Sequence, residues 1–170
     1  MLTALGKPQR HPALIALPAI NPKPGSKTLR TGRISLPGHA YLVTFTTLAR
    51  QPLFRELQPA SCIAQALYHP LLWRDAWLLA WVLMPDHWHG LVQLGSSTSL
   101  SSLTRAIKSN TARSLPESIS RPVWAPGFHD RTVRKDQDLK ATARYIIMNP
   151  VRAGLVSSPR FYPYWNAMWI

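Results

Sequence analysis

The stretch Val82-Leu-Met-Pro-Asp-His-Trp-His-Gly-Leu-Val92 decides how this chain folds. It joins a dense apolar run, residues 77–84, to residues 87–94, in which polar and apolar side chains alternate. The Pro-Asp pair between the two runs is typical of a turn, so the segments predict adjacent antiparallel strands. Because side chains alternate along a strand, His87 and His89 should project from one face of the sheet and Trp88 from the other.

The segments on either side of this hairpin extend the pattern of strands and helices. Alternating β-branched and aromatic residues predict strands, and apolar residues at helical spacing predict helices. The predicted order is strand, helix, strand, strand, helix, strand, helix. Its first six elements fit an α+β fold, a ferredoxin-like antiparallel sheet with helices on one face. The flanking elements are a strand at 40–48, a helix at 60–73, a helix from serines 97–102 to residue 115, a strand at 128–133 and a helix at 136–148.

Composition narrows the possible classes of protein. The 170 residues include 20 Lys and Arg against 7 Asp and Glu, a net charge of +13, so nucleic acid or an anionic surface is the expected partner. The length favours one domain. The longest apolar run, residues 76–85, is about half of the roughly 20 residues that a membrane helix needs, and we expect no membrane span. The single cysteine, Cys62, permits no internal disulfide and favours a cytoplasmic location.

Charge and proline divide the chain into three parts. Residues 1–36 are rich in proline and basic residues, including Arg33, and the first acidic residue is Glu56. We predict an irregular N-terminal arm there and a folded domain over 37–156. Residues 157–170 have too many prolines and aromatic residues for a regular helix or strand. This aromatic tail is expected either to pack on the core or to stack on bases.

The two histidines of the hairpin are the clearest candidates for chemistry. Neutral imidazole binds most divalent first-row metals, and a spacing of two residues on a strand brings two rings close enough to share one ion. The alternative, which the pattern alone leaves open, is that His87 and His89 are hydrogen-bonded residues without a metal.

The last predicted helix supplies two further candidates. Its apolar stripe should face the core, whereas Tyr145 and Asn149 lie off that stripe and are neighbours four residues apart. With His87 and His89, the Asn149 oxygen could hold a divalent ion, and Tyr145 would act as a nucleophile on a phosphate. Equally, Tyr145 could be a boundary aromatic residue and Asn149 a helix-terminal one. Basic side chains that could contact a DNA backbone are Arg33, Arg105, Lys108, Arg131, Arg134, Lys140 and Arg144.

Three motifs together resemble a known family. They are the hairpin stretch at 82–92, Gly127-Phe-His-Asp-Arg131, and Arg144-Tyr-Ile-Ile-Met-Asn-Pro-Val-Arg-Ala-Gly-Leu155. With the segments at 32–39 and 162–169, they resemble the REP-associated tyrosine transposases of the HUH single-strand nuclease superfamily. The resemblance covers roughly residues 32–170.

This resemblance implies an HUH nuclease-type fold in which a late helix carries the catalytic tyrosine. It implies cleavage of single-stranded DNA at hairpin-forming repetitive extragenic palindromes, with a 5′-phosphotyrosine intermediate, in the bacterial cytoplasm at the nucleoid. Carried over by motif, His87 and His89 match the metal ligands, Tyr145 the nucleophile, and Asn149 a third ligand. The expected ion is Mg²⁺ or Mn²⁺, and His129 and Asp130 receive no defined role.

Two other functions remain open from the residues. In a metal-dependent hydrolytic nuclease the histidines would activate water and Tyr145 would be incidental. In a catalytically inactive DNA- or RNA-binding module the basic and aromatic residues would only contact phosphates and bases. The oligomeric state, monomer or homodimer, is not indicated by the sequence.

Overall fold

The computed structural model describes residues 35–133 and 136–169, and within them one antiparallel sheet organises the fold. The five strands stand in the order β4-β1-β3-β2-β5, so the histidine-bearing strand β3 is central. β1 and β3 are rich in β-branched and aromatic residues, which favour strands. Their side chains point alternately to the two faces of the sheet, and both faces are largely buried. The strands are β1 Ala40–Thr46, β2 Ala76–Met84, β3 His87–Leu94, β4 His129–Val133 and β5 Trp165–Ala167.

Helices cover both faces of this sheet. α1 and α2 pack on the face that carries Tyr41, Phe45 and Trp88, which is the helix-covered face of the predicted ferredoxin-like arrangement. α3 packs on the opposite face, against Leu91 and Val82. The predicted α+β fold is confirmed, with the late helix placed across the sheet from the other two. The helices are α1 Leu57–Ala66, α2 Leu100–Arg113, α3 Asp136–Ile147 and α4 Asn149–Arg152.

The predicted β2–β3 hairpin is present, with Met84 paired to His87 across the turn. Trp88 is fully buried and stacks on Phe45, with ring centroids 4.9 Å apart. Its indole lies flat across Gly90, where an added Cβ would come within 1.8 Å of the ring. The glycine after the second histidine is therefore required by the tryptophan between the two histidines.

Several element ends differ from the sequence prediction. The helix predicted at 60–73 ends at Ala66, and Pro70–Trp73 forms a separate 3₁₀ turn that leaves Leu71 exposed. The strand from residue 40 ends at Thr46, and the helix predicted to reach residue 115 ends at Arg113. The last helix ends at Ile147, because Pro150 near the start of a new helix cannot donate a hydrogen bond to the preceding turn. The expected serine cap is present: the Ser99 hydroxyl accepts from the amide of Ser102.

The aromatic tail contains a strand, contrary to the sequence prediction. β5 pairs with the outer edge of β2, with Trp165 opposite Val82 and Ala167 opposite Ala80. The Tyr162 hydroxyl donates to the Leu83 carbonyl at 2.7 Å, and burial, with a smaller effect of Tyr164, raises the pKa of that hydroxyl to about 12. The tail therefore adds a strand to the sheet, and its aromatic side chains pack on the core, which is one of the two predicted alternatives.

Two predictions concern segments at the limits of the structure. Most of the predicted N-terminal arm, including Arg33, lies outside the described residues, as does Arg134. Within the described part of the chain, no helix has the length and apolar character needed to cross a bilayer.

Candidate active site

The two hairpin histidines face each other on the sheet surface that α3 covers. Their Nε2 atoms are 3.1 Å apart, and the ring planes stand at 87° to each other. Two imidazole lone pairs at this separation repel unless a proton or a cation lies between them. The space in front of both Nε2 atoms is therefore where a shared proton or a bound cation would relieve this repulsion.

The other nitrogen of each ring is held by an outer partner. His87 Nδ1 lies 2.5 Å from the Asp86 carboxylate, and Asp86 also accepts from Arg50 at 3.0 Å. His89 Nδ1 lies 2.7 Å from the Thr44 hydroxyl on the neighbouring strand. Such partners fix the orientation and tautomer of metal-binding histidines. With Nδ1 occupied on both rings, Nε2 is the nitrogen left for a ligand.

Electrostatics keep His89 in its neutral form at pH 7. Burial, and then the charges of His87, Arg152 and Arg50, lower the pKa of His89 to about 4. At pH 7 this ring is neutral, which is the form that binds metal ions. Burial alone would raise the pKa of Asp86, but the hydrogen bond and charge of His87, together with Arg50, hold it below its usual value. The carboxylate is therefore ionised beside His87.

The separation of the two Nε2 atoms would allow them to share one divalent ion. Nitrogens 3.1 Å apart, each about 2.1 Å from a shared ion, subtend about 95° at that ion, close to the angle between adjacent octahedral ligands. In the described part of the chain, no cluster of three His, Cys, Asp or Glu side chains accompanies the pair. The remaining ligands of a metal would therefore be neutral protein oxygens, water or substrate oxygens.

Tyr145 lies in the last turn of α3 and Asn149 is the first residue of α4; α3 packs on the same side of the sheet as the histidines. Tyr145 is 53% exposed, as a nucleophile that must meet a DNA strand requires. The Asn149 amide nitrogen donates to the carbonyls of Tyr145 and Ile146, at 3.2 and 2.9 Å, and so closes the end of α3. Its Oδ1 accepts from Arg152 at 2.7 Å, which leaves one oxygen lone pair for another partner.

Arg152 is the residue of this region that sequence reasoning missed. Its guanidinium carbon lies 3.8 Å from the centroid of the Tyr145 ring. Two residues seven positions apart lie on one face of a continuous helix, so the spacing of Tyr145 and Arg152 could have predicted their contact. The sequence prediction ended the helix at Met148 and did not include the second helix, α4, which begins at the next residue.

His129 lies in the same cross-strand row as His89, with Thr44 between them. Two strand spacings separate His89 from His129, a backbone distance of about 10 Å. Among the described residues, no third His, Cys, Asp or Glu side chain forms a metal-binding cluster with the pair, so His129 is not part of the His87–His89 site.

The predicted basic contacts fall into three groups. Arg131 lines a groove of about 750 Å³ together with Tyr145 and Leu42, and Lys140 and Arg144 are exposed on α3. Arg105 is exposed on α2, on the opposite side of the sheet. Lys108 donates to the carbonyls of Ala125 and Gly127, and its ammonium therefore fastens a loop.

The same fold occurs in a solved structure of a REP-associated tyrosine transposase bound to a REP hairpin. The similarity has a TM-score of 0.63 at 23% sequence identity and covers 80% of this chain and 81% of the other. This likeness places the sheet and its helices in the fold of a known class of transposases.

Sequence comparison identifies the family. Residues 36–149 match the model for the family described as "Transposase IS200 like", and the chain belongs to this family. A curated relative, the REP-associated tyrosine transposase of Escherichia coli (strain K12), is 29% identical over 86 residues. The chain spans about half the length of that relative. The match at 36–149 contains both histidines, Tyr145 and Asn149, and stops short of Arg152.

Proposed function

We propose that this protein is a metal-dependent single-strand DNA transposase that nicks and rejoins DNA through Tyr145. One observation carries the proposal: the His87–His89 pair presents two Nε2 atoms on the sheet face that α3, the tyrosine helix, covers. Membership of the IS200-like transposase family supports the same class of reaction.

The reaction we propose is a transesterification. The Tyr145 hydroxyl loses its proton and its oxygen attacks the phosphorus of a DNA phosphodiester. The bond from phosphorus to the 3′-oxygen breaks, and that oxygen takes up a proton, leaving a free 3′-hydroxyl and a 5′-phosphotyrosine. A 3′-hydroxyl of another end then attacks the phosphotyrosine, restores a phosphodiester and releases the tyrosine. One phosphate ester replaces another at each step, so no ATP is required.

The chain's own residues have separate tasks in this scheme. His87 and His89 would hold Mg²⁺ or Mn²⁺, with Asn149 as a third ligand through the free lone pair of its oxygen. When bound, the ion stabilises negative charge that develops on the phosphate oxygens. Asp86 and Thr44 keep the two rings oriented.

We propose single-stranded DNA with hairpin-forming palindromic repeats as the partner. The structural neighbour is described as bound to a REP hairpin, and the high positive charge of this chain suits a phosphate backbone. Arg131, Arg144 and Lys140 are exposed on the same side of the sheet as Tyr145, where they would contact that backbone. Arg33, Arg105 and Arg134 are proposed as further contacts.

A labelled-oligonucleotide assay tests the proposal. Hairpin oligonucleotides with single-stranded flanks, labelled at either end, are incubated with protein and Mn²⁺, Mg²⁺ or EDTA and run on a denaturing gel. We expect the 3′-labelled fragment to migrate attached to protein, only with metal, and the 5′-labelled fragment to be released. Tyr145→Phe and His87→Ala should abolish the adduct. Tyr164→Phe and His69→Ala, which alter a tyrosine and a histidine elsewhere, should retain it.

Other outcomes would select the other functions. Cleavage without an adduct, retained in Tyr145→Phe, would indicate a hydrolytic nuclease that uses the histidine pair. Binding without cleavage on genomic palindromic repeats would indicate a binding module. Full activity in His87→Ala would contradict the metal assignment.

A further inference from the structure

Arg152 contacts both Tyr145, in the last turn of α3, and Asn149, the first residue of α4. Its guanidinium stacks on the Tyr145 ring at 3.8 Å and donates to Asn149 Oδ1 at 2.7 Å. The Asn149 amide nitrogen in turn donates to the Tyr145 and Ile146 carbonyls. The three side chains therefore form a closed set of contacts that begins and ends at the tyrosine.

This arrangement holds a half-exposed side chain. Tyr145 is half exposed, so packing against the core does not fix its ring. The guanidinium is attracted to the face of the ring, and its hydrogen bond to Asn149 keeps it there. Because the chain forms a second helix, α4, directly after α3, Arg152 lies over the Tyr145 ring.

Arg152 also has unused capacity for an anion. A guanidinium carries five N–H donors in a planar fork that matches phosphate oxygens. Among the described residues, Asn149 is the one hydrogen-bond acceptor that the structure shows for Arg152. The side chain is exposed, so its remaining donors are accessible to a bound strand.

We infer that Arg152 binds the phosphate that Tyr145 attacks and holds the tyrosine ring in position for that attack. This inference rests on the proposed function, because it assigns a new residue to the same reaction. A phosphate beside the stacked guanidinium would meet the remaining N–H donors next to the phenol oxygen. Arg152 would then supply both orientation and positive charge at the reacting centre.

Two measurements on the full chain test this role. The first uses ¹³C-labelled tyrosine rings without DNA, with the Tyr145 signal assigned by its loss in Tyr145→Phe. In Arg152→Gln the Tyr145 signal should shift while the signals of the other four tyrosines stay in place, which also shows that the variant is folded. The matched control is Arg160→Gln, which removes a similar exposed arginine that lies 4.8 Å over the Phe161 ring. It should leave the Tyr145 signal unchanged.

The second measurement separates binding from chemistry on the hairpin oligonucleotide with Mn²⁺. Under single-turnover conditions, Arg152→Gln should slow formation of the adduct by about 100-fold, as expected for loss of one donor to a developing oxyanion, while Kd for DNA changes less than threefold. Arg152→Lys keeps the charge without the planar fork and should recover only part of the rate. Arg160→Gln should match the wild-type rate.

The outcomes distinguish this inference from the proposed function. An unchanged Tyr145 signal in Arg152→Gln would overturn the positioning role whether or not the protein cleaves DNA. A wild-type adduct rate in that variant would overturn the phosphate-binding role while leaving the tyrosine mechanism intact. Equal loss of DNA affinity in Arg152→Gln and Arg160→Gln, with no difference in rate, would reduce Arg152 to a general backbone contact. Absence of any adduct with wild-type protein would refute the proposed function, and the tyrosine signal would still decide the positioning role.

Discussion

At the scale of single residues, the site depends on side chains that would not touch the metal or DNA. Asp86 contacts His87 Nδ1 and also accepts from Arg50, and Thr44 holds His89. Both contacts are made to Nδ1, the ring nitrogen that lies away from the Nε2 atom that would bind a metal. Because orientation and basicity of an imidazole depend on this partner, the outer residues should affect metal affinity nearly as strongly as the ligands do.

Asp86→Asn should weaken Mn²⁺ binding by about 10- to 100-fold, because an amide accepts more weakly from the ring than a carboxylate. Thr44→Val should weaken it less, since it removes a neutral partner. Isothermal titration with Mn²⁺ measures both. Thr46→Val is the matched control on the same strand: Thr46 lies opposite His87, but the described structure shows no hydrogen bond of its hydroxyl. Wild-type affinity in Asp86→Asn would show that His87 is oriented by other contacts.

At the scale of elements, two close approaches fix the central hairpin and its exit. The first is the buried indole of Trp88 over Gly90. The second is Asp75, whose carboxylate accepts from the amides of Ser96, Ser97 and Thr98 and from the Ser97 hydroxyl, and so directs the chain from β3 into α2. Neither contact follows from the period of a strand or helix.

Gly90→Ala should lower the free energy of unfolding by about 3 kcal/mol, because the indole must leave its place over the backbone. Trp88→Phe alone should cost about 2 kcal/mol through lost packing. The double variant should be less destabilised than the sum by at least about 1 kcal/mol, since the smaller ring makes room for the methyl group. Urea unfolding of the four proteins measures the cycle. Strict additivity would contradict the contact.

The Asp75 contact predicts a pH dependence. Hydrogen bonds from the Ser97 hydroxyl and then its amide hold the pKa of Asp75 below its ordinary value of 3.8. A lowered acid pKa stabilises the fold above the unfolded value and loses that contribution as the pH falls through the folded value. Asp75→Asn should therefore cost about 1 kcal/mol at pH 7, and the difference from wild type should shrink below about pH 3.8.

Urea unfolding at several pH values measures the difference. Glu117→Gln, at an exposed acid for which the described structure shows no hydrogen bond, serves as the matched control and should have little effect at any pH. A difference between Asp75→Asn and wild type that stays constant down to pH 2 would show that the carboxylate charge is not what the loop uses.

At the scale of the whole molecule, the C-terminal tail is part of the sheet. β5 covers the edge of β2, and Met168 donates to the Leu79 carbonyl beyond it. Tyr162, Trp165 and Trp169 pack against the core on the α3 side. Without them, a long apolar strand would present unpaired backbone groups at an edge, which favours aggregation.

Deletion of residues 157–170 should lower the free energy of unfolding by several kcal/mol and produce aggregates, because it removes a strand and four partly buried aromatic residues. Tyr162→Phe is the graded control. It removes only the bond to the Leu83 carbonyl and should cost about 1 kcal/mol. Urea unfolding and light scattering measure the two variants. A truncated protein with wild-type stability and no aggregation would contradict the role given to β5.

The sequence by itself determined the hairpin, the shared face of His87 and His89, and the order of the ferredoxin-like elements. These features depend on the spacing of apolar side chains, every two residues in a strand and about every 3.6 residues in a helix, which can be seen over short stretches of sequence. Only the tertiary structure decided that α3 covers the histidine face, that β5 joins the sheet, and that Arg152 stacks on Tyr145. These features depend on contacts across strands and around a helix break, where spacing along the chain no longer reports distance in space.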